Sequence, residues 1–143
     1  MSEQNKRVVR RLMEEAVGGG DLALVDDLVA ANFVGHASSP GMEEHGIQAY
    51  KHFITALRQA FPDLQITVED QVAEGDKVVS RWRARGTHTG EYFGIPPSGK
   101  QGQITGINID RVVDGKTAEC WGEQDNLGIM QQIGAVTAPS PTS

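Results

Sequence analysis

The apolar residues of this chain change their spacing once, at Pro62, and that switch narrows the fold class more than any other feature. Before Pro62 they recur every three to four positions. Residues 3–18 bring Val8, Val9, Leu12, Met13, Ala16 and Val17 to one helical face, with charges opposite. Glycines 18–20 stop this helix, and Asp21 stands where it can cap a second one with apolar positions Leu24, Val25, Leu28 and Val29. Residues 32–46 read as a polar loop, and residues 47–61 as a third helix carrying Tyr50, Phe53, Ile54, Leu57 and Phe61. After Pro62 the period is two. Leu64, Ile66 and Val68 alternate with polar residues, residues 74–76 turn into a strand at 77–85, and another strand covers 103–113. Asp114-Gly115 signals a hairpin into 117–124, and a closing helix over 127–133 takes Asp125 or Asn126 as its cap. Helices followed by a meander predict an α+β fold, a curved antiparallel sheet packed on three N-terminal helices. Such a sheet leaves a cavity at its open end, where small ligands bind.

Size and charge exclude several classes of function. The 143 residues suffice for one domain, 1–135, with a flexible tail over 136–143. Cys120 is the sole cysteine, so no internal disulfide forms, and no N-terminal apolar run suggests secretion; the expected location is cytoplasmic. No apolar run is long enough to span a bilayer, so no membrane partner is expected. The net charge is −6 with acids scattered, which argues against nucleic acid. The nearest thing to a basic patch is Arg81, Arg83 and Arg85, a stripe on one strand face that fits a solvated surface or a dimer contact. Ile107 and Ile109 share the sheet's outer side with that stripe, and together they predict a homodimer.

The chemistry left open is acid–base work in a pocket. There is no G-x-S-x-G elbow, P-loop, dinucleotide fingerprint or C-x-x-C. His36, His45, His52 and His88 lack metal-ligand spacing, and no lysine reads as buried, so neither metal, cofactor nor covalent intermediate is expected. Strand parity sorts the candidates. Ser80, Trp82 and Ala84 share the better core face, with Trp82 either a core aromatic or a flat wall for a ligand. His88 follows at that strand's end, as a ligand-contacting or proton-shuttling group or as a hydrogen-bonded loop residue. Asn108 and Asp110 share one face of the next strand; Asp110 is the best carboxylate for a general base, unless it pairs an arginine across the sheet. Tyr92 and Phe93 precede a rigid Gly/Pro turn and should place one ring inward as a wall, and Gln124 joins the ligand-binding set at the end of the last strand.

The stretch GTHTGEYFGIPPSGK at 86–100, with AFPDLQITVEDQVAEGDKV before it and RVVDGK after it, resembles the SnoaL-like polyketide cyclases of the nuclear-transport-factor-2-like superfamily. The likeness covers residues 6–134. It implies a cone-shaped fold with one deep pocket, a hydrophobic polyketide- or ester-like ligand, and intramolecular aldol ring closure. It also implies that Asn108 helps position the substrate. Members of that family often read His-Trp-Asp on the last strand, where the aspartate is the acid–base residue. This chain reads Cys120-Trp121-Gly122, and glycine transfers no proton. Either Asp110 or His36, in FVGHA near the implied pocket mouth, has then assumed proton transfer, or the protein does something else. The alternatives are isomerisation, epoxide opening or hydroxylation on the same scaffold, and a non-catalytic binding or dimerisation module.

Overall fold

The computed structural model describes residues 2–37 and 45–136, so all of the expected tail but Val136 lies outside the described residues. Helix α1 (Ser2–Arg11) runs on into a wider π-helical winding, Leu12–Val17, and stops at the glycines, where Gly20 takes φ +78°. Helices α2 (Ala23–Leu28) and α3 (Ile47–Ala60) complete the layer that covers one face of a curved five-stranded sheet. The strands are β1 (Val29–Ala37), β2 (Gln65–Glu74), β3 (Lys77–Thr87), β4 (Gln101–Val113) and β5 (Lys116–Gln124), in the order β1-β5-β4-β3-β2. Helix α4 (Asn126–Gln132) closes one end. The Asp125 side chain caps it, accepting from the Gly128 N–H at 2.8 Å.

The α+β reading of the sequence holds, and along β3 the strand alternation holds as well. On β3, Val78, Ser80, Trp82 and Ala84 are buried while Lys77, Arg81, Arg83 and Arg85 are exposed. The inner side chains meet Val9 of α1, Leu12 of the π-helical winding and Val25 of α2 in one core, each such valine or leucine burial contributing about 1.5–3 kcal/mol. The β4–β5 turn has Asp114 at φ +51° and Gly115 at φ +77°, the backbone that Asp-Gly favours in a two-residue hairpin.

Two expectations are corrected. Residues 29–37 are not helix end and loop. Val29 is already extended, and the segment forms β1, which runs parallel to β5 and makes that edge of an otherwise antiparallel sheet parallel. The strand is dictated by its partner, through pairs such as Gly35 with Cys120 and His36 with Trp121, and not by a local pattern. Nor does the Asp21 side chain cap α2. Leu22 holds the cap position without a side-chain bond, and Asp21 offers only its carbonyl, to Leu24 N at 3.3 Å.

Candidate functional site

Between the π-helical winding, α3, α4 and the inner sheet face lies a cavity of about 930 Å³ when the solvent at its open mouth is included. Its walls are overwhelmingly apolar. Met13 and Val17 enter from the π-helical winding, Phe53, Leu57 and Phe61 from the stripe on and just after α3, and Ile129 from α4. Tyr92 and Phe93 stand at the mouth, 4.8 Å apart edge to face; Tyr92 is buried and Phe93 exposed, so one of the two rings does turn inward.

The floor is built on β3, β4 and β5. Trp82 faces Gly106 across the β3–β4 pair, and a Cβ on Gly106 would collide with the indole ring. The missing side chain lets Trp82 lie across β4 and reach the next inward residue, where its Nε1–H donates to Asn108 Oδ1 at 3.1 Å. Asn108 in turn faces Gly122 on β5, and a Cβ there would stand 3.0 Å from Asn108 Oδ1. Asn108, Gly122 and Gln124 line the cavity, with Gln124 Nε2 donating to Asn126 Oδ1 at 2.7 Å.

One inward position further along β4, Asp110 is almost fully buried. Its Oδ2 accepts from Thr117 Oγ1 at 2.8 Å, while its Oδ1 has no partner among the described residues. Burial raises its carboxyl from 3.8 to about 6, against the lowering effect of the Thr117 and Cys120 hydrogen bonds. Burial, the Asp110 charge and the hydrogen bond to Asp110 push the Cys120 thiol well above its usual range, which leaves it a protonated filler and no nucleophile. Tyr50 lines the cavity with its ring edge-on to Phe33, 5.2 Å away. Its phenol is held well above the usual value, first by burial and then by the nearby Asp110 and Cys120.

The residues singled out in the sequence thus fall in three places. Trp82, Tyr92, Phe93, Asn108 and Gln124 line the cavity. Asp110 and His88 sit one layer behind it. His88 is wholly buried, with the Phe61 ring tilted against it and the Tyr92 ring edge-on, and its Nδ1 accepts from the Ser98 backbone N–H at 3.2 Å while meeting Ser98 Oγ at 2.9 Å. It anchors the loop that carries the mouth aromatics. His36 lies elsewhere: β1 turns it to the outer sheet face, where it stacks on Trp121 and bonds Glu119 Oε2 at 2.7 Å. The expectation that His36 stands at the pocket is therefore corrected by the parity of β1. Tyr50 was missed because its place in an apolar helical stripe reads as core; a polar tip within that stripe was the available signal.

A family model, SnoaL-like polyketide cyclase, matches residues 7–133. The chain is 29% identical over 141 residues to the aklanonic acid methyl ester cyclase DnrD of Streptomyces peucetius, covering 94% of this chain and 92% of that one. Among solved structures it resembles IdmH of Streptomyces antibioticus, at 33% identity and TM-score 0.79, over 92% of this chain and 99% of that one. It also resembles TsrD of Streptomyces laurentii, at 29% identity and TM-score 0.84, over 95% and 98%. With the fold, the cavity and these likenesses in agreement, the chain belongs to the SnoaL-like polyketide cyclase family.

Proposed function

We propose that this protein closes a ring in an aromatic polyketide ester by an intramolecular aldol reaction, with its own side chains as acid and base. The observation that carries the reading is Asp110, a buried carboxylate with one unpartnered oxygen, one inward strand position (about 7 Å) beyond the cavity-floor amide of Asn108. A carboxyl tuned to about 6 is charged at neutral pH yet basic enough to take a proton from carbon between two carbonyls. That proton passes to Asp110 through one water, the enolate carbon attacks the second carbonyl, and the proton returns to the new alkoxide. Nothing is oxidised or reduced. Trp82, Tyr92 and Phe93 hold the flat ring system, Asn108 donates to a carbonyl oxygen, Gln124 orients the ester end, and His88 holds the loop.

The test is incubation with aklanonic acid methyl ester, the substrate class of the relative DnrD, and related anthraquinone β-keto esters, with the ring-closed product followed by chromatography. Turnover should rise with pH through about 6 as Asp110 ionises, and Asp110→Asn should lower kcat by about 10²–10⁴-fold. Full activity of that variant would remove Asp110 from the reaction. A second reading, a ligand-binding module without catalysis, is favoured by one observation, Gly122 in the acid–base place. It predicts tight binding of the same esters with no product at any pH.

A further inference from the structure

We infer that Asn108 and Tyr50 form a pair of hydrogen-bond donors for an oxyanion, with Trp82 as the positioning residue that keeps the Asn108 acceptor turned away from the ligand. The inference rests on the cyclase reading and names what the site selects: the enolate or phenolate form of a flat dicarbonyl, over its neutral form.

An indole N–H can only donate, so the atom of Asn108 facing it has to be the amide oxygen. The amide cannot then swing its oxygen toward the cavity without leaving two donors face to face. Its Nδ2 hydrogens are the part left for a ligand, and among the described residues nothing accepts from them. Gly106 and Gly122 frame the arrangement, the first by letting the indole lie across β4 and the second by leaving room beside Oδ1.

Tyr50 supplies the second donor. Its ring lines the same cavity as Asn108, its hydroxyl has no partner among the described residues, and burial, with Asp110 and Cys120 adding to it, holds its phenol well above the usual value. A phenol kept from ionising stays a donor throughout the working pH range, as a site for developing negative charge requires. Both groups meet a ligand oxygen as donors, and a charged oxygen accepts more strongly than a neutral one; the Asp110 carboxylate one position behind the cavity acts against this preference.

The probe is a set of 2-naphthols whose substituents spread their acidity. A naphtholate offers a flat oxyanion, undergoes no ring closure, and emits at a different wavelength from its neutral form. Bound to the wild-type protein, the naphthol is expected to ionise about one pH unit or more below its value in water, an anion preference of about tenfold. Asn108→Leu, which keeps volume and removes the donors, and Tyr50→Phe should each erase most of that shift. Trp82→Phe should likewise reduce it, read as the change in naphthol acidity on binding and not as a change in affinity, since the indole also lines the cavity. Should Trp82→Phe fail to fold, Gly106→Ala displaces the same indole and carries the same expectation. An unshifted naphthol in the wild type, or a shift indifferent to Asn108→Leu, overturns the inference. Ring closure without anion preference would sink this inference and leave the cyclase reading standing; anion preference without ring closure would do the reverse.

Discussion

Asp110 shows how a single residue sets function against stability. Its carboxyl titrates near 3.8 when exposed and at about 6 in the folded protein. Between those values the folded state holds a proton that the unfolded chain has released. The stability linked to this group is thus full below about pH 4 and is lost as pH rises through about 6. That rise from 3.8 to about 6 corresponds to about 3 kcal/mol at neutral pH. Asp110→Asn, which can still accept from Thr117, should therefore gain on the wild type by about 3 kcal/mol between pH 4 and pH 8, read from urea denaturation at the two pH values. A difference that does not move with pH would mean that water or a shifted side chain solvates the carboxylate. That Asp110 points inward was legible from the period of β4. That it stops one position behind the cavity was not, because depth depends on which neighbouring residues are glycine, and Gly106 and Gly122 act only once β3, β4 and β5 are in register.

At the scale of elements, the loop between β3 and β4 is held at both ends. His88 and Lys100 are joined backbone to backbone at 2.9 Å, and the Thr89 and Gly90 N–H groups both donate to Ala60 O at 3.1 Å, docking the loop on the end of α3. Its tip is a tight turn in which Tyr92 and Ile95 exchange both backbone hydrogen bonds, with Phe93 at φ +45° and Gly94 at φ +85°. A phenylalanine in this left-handed region costs about 1 kcal/mol. Phe93→Asn should relieve that strain and raise stability by about 1 kcal/mol in denaturant unfolding, yet weaken a flat ligand about tenfold by taking a ring from the mouth. Loss of stability instead would show that the Phe93–Tyr92 contact outweighs the backbone strain. The sequence carried this loop well, since prolines and glycines specify turns locally. It carried β1 poorly: NFVGHA is short, holds a glycine, and alternates only weakly, so its extended form comes from a strand more than eighty residues later. The π-helical winding of α1 was equally hidden, because one extra residue per turn leaves the apolar stripe almost unchanged.

For the molecule as a whole, the outer sheet face is the surface still to be accounted for. Several of its charges pair with one another, Arg81 and Arg83 with Glu69 and Arg111 with Glu119, whose Oε2 also bonds His36. Left among them are Ile107, Ile109, Val113 and Trp121, all exposed. A second copy laid on this face would cover these apolar groups, so the chain is expected to be a dimer by light scattering and Ile107→Glu a monomer with unchanged ligand affinity. A wild-type monomer at tens of micromolar would refute this. The parallel pairing of β1 with β5 has a consequence of another kind. It sets Gly35 beside Cys120, near opposite ends of the chain, and β5 supplies Gly122 and Gln124 to the cavity floor. Contacts so distant in sequence form late and slowly. On the ribosome, the floor of the binding chamber can close only after β5 has emerged, and a chain cut short before it would have the first three helices and the β2-β3-β4 meander but lack Gly122 and Gln124.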